Sequence, residues 1–196
     1  MRIGILGLQG AVREHERSLS RLGMGIESRI VKRASELSGI DGLILPGGES
    51  TTMSLLAHGV LIERLRGMAD EGFPMFGTCA GMILLANEVD GRPSEFIRAI
   101  DIAVERNASG RQVDSFEATL DVEGIGDDVP AVFIRAPYAI RSGPAVTPMA
   151  RHNGFIVMAR ERDVLVCSFH PELTDDVRIH RYFVKMIEGR FTGKET

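Results

Sequence analysis

One cysteine in this sequence lies in a setting that is typical of an exposed nucleophile. Cys79 is the centre of the run Gly77-Thr78-Cys79-Ala80-Gly81. This G-x-C-x-G pattern predicts a strand-to-helix elbow, in which small flanking residues let the chain turn sharply and expose the central side chain. The elbow also places the sulfur at a helix N-terminus, where unpaired N–H groups favour the reactive thiolate. A lone cysteine can equally be a small buried hydrophobe, so a catalytic role needs support from other groups.

A histidine and a carboxylate supply that support. The run His170-Pro171-Glu172 directly follows the apolar segment 164–169. A histidine at the carboxyl end of a strand lies where open α/β sheets bind ligands, and a carboxylate two residues further on can orient its ring. We therefore predict a nucleophile, Cys79, a base, His170, and an orienting group, Glu172. Cys167 lies within the apolar segment, and we expect it in the core.

Two adjacent glycines, Gly47 and Gly48, follow a third apolar segment. Backbone amides at such a position can approach a reacting carbonyl and form an oxyanion hole, in which one donor contributes about 3 to 4 kcal/mol to transition-state stabilisation. If the cysteine, the histidine and the two glycines lie together at one edge of a sheet, they would make an acyl-transfer site. The glycine pair alone would indicate only a loop.

Short apolar strands that alternate with helices would position these groups. Periodicity predicts strands at 3–8, 26–31, 42–45, 73–76, 155–158 and 164–169, and helices at 11–22, 34–37, from about 50 with a break near Gly59, 82–86 and 175–188. Continuous apolar strands of this kind indicate an α/β fold with a mostly parallel central sheet and helices on both faces.

Between residues 88 and 148 the pattern changes. Partly alternating segments at 100–104, 116–120 and 132–134 are separated by turn residues, which predicts antiparallel additions to the main sheet. No internal repeat or linker interrupts the sequence, so we predict a single domain over 1–196. Residues 190–196 are expected to form a flexible tail.

Composition excludes several classes of function. The 196 residues are 44% hydrophobic and 26% charged, as in ordinary globular chains, and the net charge of −4 gives no electrostatic reason to expect nucleic acid or membrane as a partner. The two cysteines form no C-x-x-C pair, which suits a reducing cytoplasm and does not indicate a metal site. No apolar run approaches the ~18 residues that cross a bilayer, and the first residues do not predict a secretory signal.

A cofactor is also not expected. The glycines Gly4, Gly7 and Gly10 are spaced G-x-x-G-x-x-G, which differs from the G-x-G-x-x-G fingerprint of dinucleotide sites. We therefore predict a cytoplasmic enzyme that uses neither a cofactor nor a metal.

The elbow and the His-Pro-Glu run together resemble those of class I (triad) glutamine amidotransferases, whose fold is flavodoxin-like. Further runs narrow the resemblance to glutaminase subunits of the deoxyxylulose-independent pyridoxal 5'-phosphate synthase. They are Leu8-Gln9-Gly10-Ala11-Val12-Arg13-Glu14-His15, Leu45-Pro46-Gly47-Gly48-Glu49-Ser50-Thr51-Thr52, Val104-Glu105-Arg106-Asn107 with Gly110-Arg111-Gln112-Val113-Asp114-Ser115-Phe116, and Phe133-Ile134-Arg135-Ala136-Pro137.

The resemblance implies a role for each matching residue. Cys79 would form a glutamyl thioester, His170 would transfer protons, and Glu172 would orient His170. The positions that would bind L-glutamine are Gly47, Gly48, Glu49, Arg106, Ile134 and Arg135. An arginine suits the α-carboxylate of the substrate because its planar fork binds both oxygens, although either arginine taken alone would more simply form a surface salt bridge.

The resemblance also implies a partner. The ammonia would pass to a synthase subunit, a (β/α)8 barrel, within a large complex in vitamin B6 biosynthesis, and the charged helix at 11–21 is a candidate docking surface. Two alternatives remain open from the residues alone: an elbow-cysteine amidase or esterase with another substrate, and a non-enzymatic redox sensor.

Two departures from the family pattern are present. Ser109 stands where the family usually has an aromatic residue, and the segment 95–99 lacks the usual glycine. We expect these departures to affect local packing or partner contacts and not the reaction class.

Overall fold

The computed structural model of the protein describes residues 1–56, 59–106 and 115–192. Its α-helices are α1 (Val12–Arg21), α2 (Ser50–Leu56), α3 (Val60–Asp70), α4 (Ala80–Leu85) and α5 (Arg178–Thr192), and two 3-10 helices cover Ala34–Leu37 and Pro171–Leu173. Its strands are β1 (Arg2–Leu6), β2 (Glu27–Val31), β3 (Gly42–Leu45), β4 (Met75–Thr78), β5 (Ala86–Val89), β6 (Arg92–Pro93), β7 (Ile100–Glu105), β8 (Phe116–Val122), β9 (Gly126–Phe133), β10 (Tyr138–Ser142), β11 (Thr147–His152), β12 (Phe155–Glu161) and β13 (Val164–Cys167).

The central sheet has the strand order β2-β1-β3-β4-β13-β12-β10-β7-β5-β6, with β11 paired to β12. Strands β2, β1, β3, β4 and β13 are mutually parallel and form its core. The extension begins with the antiparallel pair β13 and β12 and continues through β10. The predicted α/β fold with a parallel core and an antiparallel extension is therefore confirmed.

Both faces of the sheet are covered. On β3, Leu43 and Leu45 pack into the apolar cluster that includes α3 and α4, whereas Ile44 packs into the opposite cluster, which includes α1 and α5. All three side chains are fully buried. Burial on both faces explains why the strand reads as a continuous apolar run.

The prediction for segments 116–120 and 132–134 is wrong in one respect. They are strands, but β8 and β9 pair only with each other, as a separate two-stranded antiparallel sheet within the described residues. Their inward side chains, among them Leu120, Val129 and Phe133, pack in the cluster that contains α1 and α5. Alternation identifies a half-buried strand, but it does not identify the surface on which that strand packs.

The C-terminal segment also differs from the prediction. Helix α5 starts three residues later than predicted and continues through Gly189 to Thr192, so residues 190–192 are helical and not a tail. The Arg190 guanidinium donates to the Gly72 carbonyl and lies 3.7 Å from the Asp163 carboxylate. These tertiary contacts override the low helix propensity of Gly189. Residues 193–196 lie outside the described part.

The segment 95–99, which departs from the family pattern, is tied to the helices beneath it. Arg66 Nε donates to the Phe96 carbonyl at 2.6 Å, and the Ile97 N–H donates to the Leu84 carbonyl at 2.9 Å. Ser109 and the run from Gly110 to Asp114 lie outside the described residues. No helix in the described ranges is both long enough and apolar enough to span a membrane.

Candidate active site

The elbow forms as predicted between β4 and α4, but Cys79 is not the exposed side chain that we expected: it is 6% exposed and lies at the floor of a cavity. Cys79 has φ 48° and ψ −104°, a conformation that is strained for any residue with a side chain. Its N–H donates to the Cys167 carbonyl at 2.8 Å, which ties the turn to the neighbouring strand β13. A Cβ atom at Gly81 would lie 2.0 Å from the Leu45 carbonyl oxygen, and one at Gly77 would lie 2.6 Å from the backbone of Gly81. Both flanking glycines are therefore required by close backbone approach.

The predicted base and its orienting carboxylate lie together beyond β13. His170 Nδ1 and Glu172 Oε1 are 2.8 Å apart, and both residues are buried. The backbone N–H of His170 donates to the Val132 carbonyl at 2.8 Å, so β9 holds the start of this turn. Pro171 begins the 3-10 helix that carries Glu172 back beneath the imidazole ring.

The electrostatics favour a protonated His170 beside the Glu172 carboxylate. Burial lowers the pKa of His170, but hydrogen bonds to Cys79 and Glu172 outweigh burial and raise this pKa to about 10. Burial raises the pKa of Glu172, but the nearby His15 and the hydrogen bond from His170 outweigh it, so the net pKa is lowered. The arrangement supports an imidazolium at His170 that is backed by the Glu172 carboxylate and lines the same cavity as Cys79. Cys167, in contrast, is fully buried, and burial raises its pKa well above the usual value.

A cavity of about 470 Å³ opens above Cys79 and His170. The residues that line it are Gln9, Ala11, Gly47, Gly48, Glu49, Ser50, Cys79, Ala80, Ile83, Arg106, Ile134, Arg135, His170 and Leu173. The structure thus brings together all the predicted substrate-binding positions and two of the three predicted catalytic residues. The third, Glu172, lies behind His170 and away from the cavity.

Gly47 lies directly against Cys79 and His170. A Cβ atom at this position would lie 2.2 Å from His170 Cε1 and 3.3 Å from the Cβ of Cys79. The Gly47 N–H donates to Thr78 Oγ1 at 2.9 Å, and its carbonyl accepts from the Ala11 N–H at 3.0 Å. In this structure the Gly47 amide is therefore occupied by Thr78 and does not serve as a free oxyanion donor.

Glu49 fixes the loop to the start of α2. Its carboxylate accepts from the N–H groups of Thr51 and Thr52 at 3.0 and 2.7 Å and from Thr52 Oγ1 at 2.6 Å. Hydrogen bonding from Thr52, followed by that from Thr51, lowers the pKa of Glu49 to about 2. The Glu49 N–H donates to Gln9 Oε1 at 2.7 Å, so the first loop of the chain holds this segment from the other side.

The other predicted substrate contacts come from the far side of the cavity. The Ile134 carbonyl lies 3.9 Å from Cys79 Sγ. Arg135 follows it with φ 45°, and no hydrogen bond or ion pair joins its side chain to another described residue. Arg106 donates from its backbone and from Nε to the Asp90 carboxylate, at 3.0 and 2.6 Å. The two arginines line one cavity but differ in what they already bind.

Four residues at the site were given no role from the sequence. Gln9 lines the cavity, Thr78 holds Gly47, and His15 and His180 lie buried beneath the triad. The signal for Gln9 was its place in the loop after β1, within the run 8–15 that carries the family resemblance. His15 and His180 are 165 positions apart, and neither belongs to a motif that would join them. Among the described residues, no group of histidine, cysteine and acidic side chains is arranged to hold a metal ion.

Comparison with known proteins identifies the family. The SNO glutamine amidotransferase family matches residues 5–189. The chain is 53% identical over 189 residues to pyridoxal 5'-phosphate synthase subunit PdxT of Bacillus cytotoxicus, covering 96% of this chain and 95% of the relative. It is 51% identical to the subunit of the same name from Geobacillus thermodenitrificans, with 96% of each chain covered.

Solved structures agree with this relationship. A glutamine amidotransferase crystal structure superposes with a TM-score of 0.88 at 46% identity and covers 95% of this chain and 98% of that one. A putative GMP synthase subunit from Thermoplasma acidophilum, at 17% identity, covers 100% of this chain and 98% of its own with a TM-score of 0.73, and so shares the fold. The match over nearly the whole length shows that this chain belongs to the SNO glutamine amidotransferase family.

Proposed function

We propose that the chain hydrolyses L-glutamine to L-glutamate and ammonia through Cys79, His170 and Glu172, and that the ammonia serves pyridoxal 5'-phosphate synthesis. The observation that carries this proposal is the position of His170, which lines the same cavity as Cys79 and whose Nδ1 lies 2.8 Å from Glu172 Oε1. Membership of a glutamine amidotransferase family supports glutamine over other amides or esters as the substrate.

In the first half of the reaction, the Cys79 thiolate attacks the side-chain amide carbon of glutamine. The C–N bond of the resulting tetrahedral intermediate then breaks, and the His170 imidazolium donates the proton that lets ammonia leave. The product on the enzyme is a glutamyl thioester. Glu172 keeps His170 in the orientation that aims its other ring nitrogen at the sulfur.

In the second half, neutral His170 takes a proton from water as the water attacks the thioester carbonyl. The C–S bond breaks, which releases glutamate and returns the thiolate and imidazolium pair. Negative charge develops on the carbonyl oxygen in both halves, and amides of the loop at Gly47 and Gly48 are the candidate donors. Because the Gly47 N–H is held by Thr78, this role requires either the Gly48 amide or a rearranged Gly47 peptide.

Substrate recognition would use the opposite wall of the cavity. Arg135, which has no side-chain partner among the described residues, would bind the α-carboxylate of glutamine through its planar fork, and Arg106 lines the same cavity. The Ile134 carbonyl, close to the sulfur, can accept a hydrogen bond from the substrate. Glu49 and Gly48 would enclose the substrate from the side of α2.

The partner would be a pyridoxal 5'-phosphate synthase subunit that accepts the ammonia. The relatives at 51 to 53% identity carry the name of a synthase subunit, which supports this assignment. We also propose a (β/α)8-barrel form for this partner and a cytoplasmic location, which suits the unpaired thiols of Cys79 and Cys167.

The test is a glutaminase assay with and without a synthase subunit from the same source. We expect glutamate release in the presence of the partner and its loss, by at least about 10⁴-fold, in Cys79→Ala. Binding of Cys79→Ala to the partner, measured by size-exclusion chromatography, should be unchanged and provides the control. Full turnover by the Cys79→Ala protein would contradict the proposal.

A substrate panel separates this proposal from its alternatives. Glutamine should be hydrolysed in clear preference to asparagine, simple amides and esters. Peroxide-dependent oxidation of Cys79 without any glutamine turnover, even with the partner present, would instead favour a redox sensor. A redox role would leave the His170–Glu172 hydrogen bond without a function.

A further inference from the structure

Two buried histidines that the proposed reaction does not use lie beneath the triad. His15 is on α1 and His180 is on α5, and neither has any exposed surface. His15 Nδ1 is 2.9 Å from His180 Nε2. On the other side of the same ring, His15 Nε2 is 3.3 Å from Thr78 Oγ1 and 3.6 Å from Glu172 Oε1.

The hydrogen-bond partners select one arrangement of protons in this pair. If His15 carried its proton on Nδ1, the Nε2 lone pair would face the Glu172 carboxylate, and His180 would have to place an N–H on Nδ1. His180 Nδ1 has no partner among the described residues, and a buried N–H without an acceptor is costly. With the proton on His15 Nε2 instead, His180 donates from Nε2 to His15 Nδ1, and His15 directs its N–H between Thr78 and Glu172.

We propose that His15, held by His180, is a positioning residue that directs a neutral N–H toward Glu172 Oε1 and Thr78 Oγ1 and so fixes the carboxylate that orients His170. The proposal rests on the proposed function of the triad. It extends that function to a residue on α1, which contacts neither the substrate nor the sulfur.

Two further observations support this role. Glu172 Oε1 is the same oxygen that binds His170 Nδ1, so a shift of the carboxylate would move the base directly. Burial lowers the pKa of His15 and lowers that of His180 to about 3. Both rings are therefore neutral at physiological pH, and they support the anion without introducing a competing cation next to His170.

Thr78 extends the arrangement to the glycine loop. Its hydroxyl oxygen accepts from the Gly47 N–H at 2.9 Å and lies 3.3 Å from His15 Nε2. The His15 ring thus lies next to both Thr78, which binds Gly47, and Glu172, which binds His170. The titratable groups that interact with Glu172 or His15 across this region are Glu14 on α1, Cys167 on β13, His170 beside Glu172, and His180 on α5, and Cys79 at the elbow interacts with His170.

The test compares two amides at position 15 in the full chain with its synthase partner. In His15→Gln the side-chain NH₂ reaches the place of Nε2, whereas in His15→Asn it reaches only that of Nδ1. We expect His15→Gln to stay within about threefold of the wild-type kcat and His15→Asn to lose about tenfold or more, with the KM for glutamine unchanged in both. Ser18→Ala, which removes the hydrogen bond of another buried α1 side chain to the Glu14 carbonyl, is the matched control and should keep the wild-type kcat.

The pH profile separates positioning from simple structural support. Without the His15 N–H, the carboxylate of Glu172 is easier to protonate, so the acid limb of kcat/KM should move to higher pH in His15→Asn and return in His15→Gln. Peptide-resolved alkylation of Cys79 by iodoacetamide should show the same upward shift, and this readout needs neither glutamine nor partner.

The outcomes are distinct. Equal profiles for the two amide variants, or a lower unfolding temperature in His15→Asn with no change of profile, would overturn the positioning role. A wild-type protein that hydrolyses no glutamine with its partner would overturn the proposed function. In that case an alkylation shift in His15→Asn alone would still support the contact between His15 and the triad.

Discussion

At the scale of single residues, the two arginines of the cavity differ in their existing ion pairs, and this difference limits which of them can bind a substrate carboxylate. Arg106 is committed to Asp90 through Nε and through an ion pair with an N–O distance of 2.6 Å. Arg135 has no such partner among the described residues and lines the same cavity. An arginine already neutralised by a carboxylate has less to gain from a second carboxylate, so Arg135 is the better candidate for the α-carboxylate of glutamine.

This difference predicts unequal effects on substrate binding. Arg135→Ala should raise the KM for glutamine by about tenfold to a hundredfold, because a charge-assisted hydrogen bond is lost, with little change in kcat. Arg106→Ala should raise KM by a smaller factor. Steady-state kinetics with the partner present measure both. A larger effect on KM at Arg106 than at Arg135 would contradict the assignment.

The sequence could predict the roles of residues that lie in a recognisable short motif. Cys79 stands between its two glycines, and Glu172 follows His170 by two positions, so each role could be predicted from a short run. His15 and His180 meet only because α1 and α5 pack on the same face of the sheet. No local pattern encodes a contact between side chains 165 positions apart.

At the scale of elements, the elbow depends on how closely α4 approaches β3. Gly81 lies in the first turn of α4, directly against the Leu45 carbonyl of β3. The contact is between backbone atoms, so no side-chain rearrangement can relieve a clash there. Gly67, in the middle of α3, has no neighbouring atom within 4 Å of the position that an alanine Cβ would occupy, and so offers a matched comparison.

Alanine should therefore act in opposite directions at these two glycines. Gly81→Ala should lower the free energy of unfolding by about 1 to 3 kcal/mol or more and displace Cys79, with loss of glutaminase activity. Gly67→Ala should raise it by up to about 1 kcal/mol, because alanine is the better helix former, and should leave activity unchanged. Urea denaturation of both variants measures the change. A stable, active Gly81→Ala protein would show that α4 can move away from β3.

Periodicity predicted which segments are strands and which are helices, but it did not predict which strands pair or which surfaces they pack on. Leu43-Ile44-Leu45 predicted a strand buried on both faces, and the structure places it at the centre of the parallel core. The alternation in β8 and β9 correctly predicted strands, but the prediction that they extend the main sheet was wrong, because their pairing depends on the surface offered by α1 and α5. The end of α5 depended in the same way on contacts of Arg190 with distant segments.

At the scale of the whole molecule, ionisable groups from three separate elements share one buried region. His15 from α1, His180 from α5 and Glu172 from the last loop are released to water together when the chain unfolds. Their pKa values are all lower in the folded protein than in the unfolded chain, so the unfolded state binds protons first as the pH falls. His170 has a raised pKa, so its stabilisation is complete below pH 6.5 and is lost as the pH rises through about 10.

These shifts predict that stability falls on acidification, starting near pH 6.5. His180, with its pKa lowered to about 3, should lower the free energy of unfolding by about 1.4 kcal/mol for each pH unit below that value. His15, whose pKa is also lowered, adds a loss in the same direction, and Glu172 adds to it below about pH 4.5. Urea denaturation between pH 7 and 5 measures the slope. In His180→Gln, whose side chain does not titrate, the number of protons taken up on unfolding should fall by about one. The slope of the free energy of unfolding against pH should decrease accordingly. An unchanged slope would show that His180 is protonated in the folded protein.

The hairpin of β8 and β9 links one wall of the cavity to the turn that carries His170. Its Val132 carbonyl anchors the backbone of His170, and the next residues along the chain, Ile134 and Arg135, form the far wall of the cavity. A tilt of this hairpin relative to the sheet would displace the residues proposed to bind glutamine and the proposed base, His170, in a single movement. Movement of the hairpin, even at a point far from the sulfur, would therefore change the rate of turnover.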